Sequence, residues 1–172
     1  NDIFGGLGNL IVDTDKGKYE SYKPGVYYQG IIKGDNTSVV AFSFFDDNVI
    51  ALASDLKRGN IVLGKGIDSQ DYVIYNDAKL TGESGFICET DKLMENKKQQ
   101  ISFNPKTSKA ANETQNCVRV YYEIANKPYV QNASDITTTT NWITAVHNNI
   151  STLYTNDGIK TSLHEIFIWT TA

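Results

Sequence analysis

The chain has 172 residues, room for one ordinary domain or two small ones, and its 40% hydrophobic and 21% charged content is that of a folded globular protein, not a disordered one. A formal net charge of -4 supplies no electrostatic footprint for nucleic acid or an anionic membrane, and no apolar run approaches the roughly 20 residues of a membrane-spanning helix. Ten Tyr and seven Phe against one Met indicate a β-rich, aromatic-lined core, and two cysteines, Cys88 and Cys117, exclude a dense disulfide framework.

The chain opens without a basic segment followed by an apolar one, so Asn1 is expected to follow a removed leader or a cloning boundary. Gly5-Gly6-Leu7-Gly8 precedes no strand-to-helix turn and reads as a flexible terminus, not a phosphate loop. To about Asn76, short apolar runs alternate with turn signals. Val26 to Ile32 precedes Gly34-Asp35-Asn36, Val39 to Phe45 precedes Asp46-Asp47-Asn48, and Val49 to Ser54 precedes Lys57-Arg58-Gly59-Asn60. Ile61 to Leu63 and Tyr72 to Tyr75 follow. Short strands broken by Asp, Asn and Gly predict an antiparallel meander or small sandwich.

Residues 89–116 are rich in Lys, Gln, Asn, Thr and Ser, with too few large apolar side chains to offset the entropy of ordering, and are read as a linker or exposed loop. Lys97-Lys98 within it is a candidate proteolytic nick. Beyond it, Val118, Val120, Tyr122 and Ile124 alternate on one face of a strand from Cys117 to Ile124. Asp135 can cap a helix whose stripe holds Ile136, Thr140, Ile143, Val146, His147, Ile150, Leu153 and Tyr154. Asn156-Asp157-Gly158 supplies the stop, and a strand from Ile159 to Trp169 follows, its apolar end suited to a central position covered on both faces. This βαβ cannot bury both its faces alone, so it is expected to open a larger α/β domain continuing beyond Ala172, and its apolar face to meet the preceding sheet or a second copy of the chain.

Candidate chemistry is sparse. His164-Glu165 shares two residues with the zinc-peptidase pattern His-Glu-x-x-His, but position 168 is Ile and the pair falls on a predicted strand, whereas two imidazoles need i, i+4 spacing on a helix to share a metal. His147 lies on the apolar stripe and reads as a core or rim residue. Gly82-Glu83-Ser84-Gly85 lacks the spacing of a serine nucleophile's turn, and Asp46-Asp47 reads as turn chemistry. Four Asn-x-Ser/Thr triplets, beginning at Asn36, Asn112, Asn132 and Asn149, are compatible with secretion.

Two segments together resemble the reprolysin/ADAM branch of the metzincin zinc proteases. Tyr27-Tyr28-Gln29-Gly30, Gly34, Ser38-Val39-Val40-Ala41 and Ser43, then Val49-Ile50-Ala51-Leu52 and Tyr72-Val73-Ile74-Tyr75, look like that family's propeptide. Val118 to Ile124, the helix with Val146, Ile150, Leu153 and Tyr154, and Leu163, Glu165, Ile166, Ile168 and Trp169 are similar to the first strand, first helix and second strand of its catalytic domain. The resemblance implies an α+β arrangement: a β-rich antiparallel propeptide over residues 1–88, a processing junction over 89–116, and a truncated βαβ over 117–172. It implies a secreted zinc-dependent endopeptidase acting on protein or peptide substrates, with the catalytic and zinc-binding residues beyond Ala172 and this portion itself inactive and metal-free.

Two positions depart from the family pattern. Arg119 stands where calcium-binding members carry Glu, so no calcium site is implied there, and Cys88 is followed by Glu89 instead of the Gly usual in a cysteine switch. Cys88 therefore has two readings, a switch thiolate that would occupy the zinc or a disulfide to Cys117 worth about 3–4 kcal/mol through loop closure. The rival to the peptidase reading is a noncatalytic secreted β-rich binding or adhesion module with exposed tyrosines as its contact surface.

Overall fold

The computed structural model describes residues 2–5, 10–66, 69–81 and 117–172, and the expectations placed on Cys88, on the 89–116 linker and on Gly6-Leu7-Gly8 lie outside these residues. Among the described residues, nine strands and two α-helices follow in chain order: β1 (Ile11–Thr14), β2 (Gly17–Lys18), β3 (Val26–Ile32), β4 (Asp35–Phe44), β5 (Val49–Asp55), β6 (Gly59–Lys65), β7 (Tyr72–Asn76), β8 (Val118–Ile124), α1 (Asn126–Gln131), α2 (Ile136–Asn156) and β9 (Thr161–Ile168). The architecture is α+β. β3 to β7 form a five-stranded antiparallel meander, and the remaining strands form a mixed sheet in the order β2-β1-β9-β8.

The meander has the strands and turns that the alternating sequence predicts. Its hairpins close on short Asp- and Gly-containing turns: at β5–β6 the Asp55 carboxylate accepts the amides of Lys57 and Arg58, both at 2.8 Å, and the Arg58 Nε at 2.6 Å. In the mixed sheet, β8 and β9 run parallel, Val118 opposite Thr161 and Ile124 opposite Ile168, and α2 joins them. The Asp135 carboxylate caps α2 by accepting from the Thr138 amide at 2.6 Å, and Gly158, with φ 76°, takes the left-handed conformation after its last turn.

β1 was not expected as a strand, because four residues beginning next to a glycine-rich terminus show too little alternation to be read. It pairs parallel to β9, Ile11 opposite Glu165 and Thr14 opposite Ile168, so an amino-terminal segment completes the sheet to which the βαβ belongs. β9 is thus central, flanked by β1 and β8.

The helix α2 lies between the two sheets. Toward the mixed sheet it buries Ile143 against Val12, Ile124, Leu163, Ile166 and Ile168, all at most 6% exposed. Toward the meander it touches β3, β4 and β5. Two sequence expectations change here. Leu153 and Tyr154 are exposed while their neighbours Ser151 and Thr152 are buried, so the last turns of α2 turn small polar residues inward and the apolar stripe ends near Ile150. The carboxyl end of β9 is covered on one face only: Ile166 and Ile168 are fully buried under α2, while Trp169 is exposed and packs edge-on against the half-buried Phe167 on the open face.

Candidate functional site

The most elaborate polar chemistry in the molecule lies where the amino-terminal residues grip the βαβ, and α2 is its centre. The helix is unusually rich in threonine. Buried threonines satisfy their hydroxyls within the helix: Thr139 donates to the Asp135 carbonyl, Thr140 to that of Ile136, Thr144 to that of Thr140 and Thr152 to that of Asn148, each at 2.7 to 2.9 Å. Hydroxyls tied up this way leave a narrow, nearly smooth ridge, and the meander packs close against it.

Asn148, fully buried on that ridge, is the main polar connection to the meander. Its Nδ2 donates to the Phe42 carbonyl at 3.0 Å and the Ser43 hydroxyl at 3.1 Å, and its Oδ1 accepts from Gln29 Nε2 at 3.1 Å. One turn earlier, the Tyr22 hydroxyl donates to Asn141 Oδ1 at 3.1 Å and lies 3.4 Å from the Thr144 hydroxyl, while Tyr19 meets Thr137 at 2.9 Å. Burial raises the ionisation of Tyr22 and Tyr27 above the ordinary tyrosine range, so both act as neutral phenols.

The amino-terminal arm adds a second grip. The carbonyl of Ile3 accepts the Leu163 amide at 2.9 Å, and β1 runs alongside β9. Asp15, just after β1, holds the chain beyond β9: Oδ1 accepts the Thr170 amide at 2.8 Å and its hydroxyl at 2.7 Å, and Oδ2 accepts the amide and hydroxyl of Thr171. Hydrogen bonds from the Thr171 hydroxyl, then from Thr170, hold the Asp15 carboxyl well below the usual carboxylate range.

The residues singled out for chemistry do not converge. His147 is fully buried on α2; its Nδ1 lies 3.2 Å from the Tyr122 hydroxyl and its Nε2 has no hydrogen-bond partner among the described residues. Burial lowers its pKa to about 4, so it is a neutral core imidazole. His164 and Glu165 sit half-buried on β9, and Asp46-Asp47 occupy the β4–β5 turn, where the Asp47 carbonyl accepts Lys65 Nζ at 2.9 Å. Cys117 is exposed and lines a depression of about 280 Å³ with Gln29, Ser151, Thr155 and Lys160. Among the described residues, no three His, Cys, Asp or Glu side chains gather as a metal would require, so zinc does not fit the residues present. No described helix is long and apolar enough to cross a membrane.

The roles of Asn148, Tyr22 and Asp15 were not read from the sequence. The signal available was the spacing of Thr140, Thr144, Asn148 and Ser151, which marks a small and polar face on α2 beside the isoleucines. No protein-family model, curated protein or solved structure matches the chain.

Proposed function

We propose that the chain is the latent amino-terminal portion of a secreted zinc-dependent endopeptidase, in which a β-rich propeptide clasps the first strand, helix and strand of the catalytic domain. The observation that carries this reading is the parallel pairing of β8 with β9 across the Asp135-capped helix, in the order the family resemblance implies, preceded by an antiparallel meander. The grip of Asn148, Tyr22 and Asp15 supports it further, because a propeptide that restrains a catalytic sheet must bind it through specific, directional contacts. These residues would bind and orient; the zinc and its chemistry fall to residues outside this chain, and no catalytic step is assigned to any side chain here.

A specific observation favours the second reading, a binding module: among the described residues, the outward face of the meander exposes Val26, Tyr28, Phe44, Tyr72 and Ile74. The test is a longer chain that carries this sequence, assayed for zinc and for hydrolysis of a generic protein substrate before and after cleavage within residues 89–116. One zinc per chain, with activity rising at least about tenfold on cleavage, supports the peptidase. No zinc and no hydrolysis in either form would leave the binding module.

A further inference from the structure

The meander has two faces, and α2 covers only part of one. Strand alternation and register put Tyr27, Gln29, Ala41 and Ser43 toward the helix, and Val26, Tyr28, Phe42 and Phe44 away from it. The ring contacts agree: Tyr28 meets Phe44 edge-on at 5.8 Å and Phe42 stacks on Phe44 at 5.9 Å, a row of three rings on the outward face. Across β5 to β7 the same face continues through Ala51 and Ala53, Ile61 and Leu63, and Ile74. Tyr28 is 58% and Val26 56% exposed on β3 and Ile74 71% on β7, while Ala51 on the middle strand is buried, so the face is apolar along its register with its exposed side chains toward the two outer strands.

We infer that this outward face is a self-association surface, on which a second copy of the chain stacks its own meander to form a two-sheet sandwich. Three observations select that occupant. The exposed side chains of the face present on the order of 800 Å², the share each partner contributes to a stable interface of standard size. Charge is confined to the rim: Lys65 is turned to the Asp47 carbonyl, and Asp55 is paired with Arg58 at 2.6 Å in the turn. With its charges at the rim, the face offers a charged partner little to select and its centre does not repel its own copy.

The contrast with the open face of the mixed sheet sharpens the choice. There Tyr121, Phe167 and Trp169 alternate with Asp13, Glu123 and Glu165, and Tyr121 is held above the usual phenol range by partial burial and then by those carboxylates. Two copies stacked on that face would oppose carboxylate to carboxylate. The association expected of the βαβ sheet is thereby redirected to the meander, where two-fold stacking places identical apolar surfaces about 10 Å apart, as in a sandwich core.

The experiment is sedimentation equilibrium of the whole chain from 1 to 200 μM, with hydroxyl-radical footprinting at both ends of the range. A reversible monomer–dimer equilibrium is expected, with Tyr28, Phe42, Phe44 and Tyr72 gaining protection at high concentration and Tyr121 and Trp169 keeping their reactivity. Tyr28→Lys with Phe44→Lys should weaken the dimer at least about 30-fold while leaving the circular dichroism spectrum unchanged; Tyr121→Lys should not weaken it. The footprint needs no variant, so it decides the matter even where a substitution disturbs folding. A monomer at every concentration, or protection of Tyr121 and Trp169 in place of the Tyr28 row, overturns the proposal.

Discussion

Asn148 shows how one side chain can decide whether two sheets belong to one body. Replacing it with Ala removes, at a fully buried position, the donor to the Phe42 carbonyl and the Ser43 hydroxyl, an expected loss of about 2–3 kcal/mol in urea unfolding, whereas Asn149→Ala, one residue on and only partly buried, should stay within about 0.5 kcal/mol. His147 makes stability depend on pH. Its pKa falls from 6.5 to about 4 on folding, so below 6.5 the unfolded chain binds the proton that the folded chain refuses. Its contribution to stability is complete above about pH 6.5 and is lost as the pH falls toward 4, on the order of 3 kcal/mol in all. His147→Leu should lack that slope, so the difference between wild type and variant isolates it; a variant with the same slope as wild type would mean that the imidazole is already solvated. Ala133 and Ser134, between the helices, have φ of 60° and 53°, a region costly for residues with a Cβ, so Ala133→Gly should stabilise by about 0.5–1 kcal/mol.

At the scale of elements, strand alternation and turn chemistry made β3 to β7 legible almost to the residue, because each strand is bracketed by Asp, Asn or Gly and its partner is its neighbour in sequence. The βαβ was legible for a different reason: a cap, a long helical period and a glycine stop bound α2, and β8 and β9 flank it. β1 and β2 were not legible. They are short, and β1 pairs with a strand about 150 residues away, information no local pattern carries. α1 was missed as well, since it is a six-residue turn of helix with Pro128 in its first turn and no residue fully buried. The face of α2 was read partly correctly, the isoleucines but not the small polar ridge. The correction is measurable: Ile143→Ala should cost about 2–4 kcal/mol, while Leu153→Ala, whose side chain is exposed, should cost under about 0.5 kcal/mol. Equal losses at the two positions would restore the longer stripe.

Across the whole molecule, the chain order and the spatial order differ. β1 belongs to the sheet formed by the last 55 residues, Ile3 accepts a backbone hydrogen bond from it, and the meander between them rests on the helix of that unit. The amino-terminal residues therefore hold the βαβ on two sides, by backbone pairing along β9 and by the Tyr22 and Asn148 contacts along α2. That clasp is the physical content of the latency proposed for the parent protein, and its site was only partly legible in the sequence because Asp15, Tyr22 and Asn148 acquire their roles from partners more than 100 residues distant. The most direct test is to produce residues 1–81 and 117–172 as two separate polypeptides in one cell, with an affinity tag on the second only. The clasp predicts that they purify together in equal amounts, that the amides of Leu163 and Thr170 are protected from hydrogen exchange in the complex, and that Asn148→Ala weakens the association. Recovery of the tagged piece alone and folded, with Leu163 protected in the absence of the amino-terminal polypeptide, would contradict it.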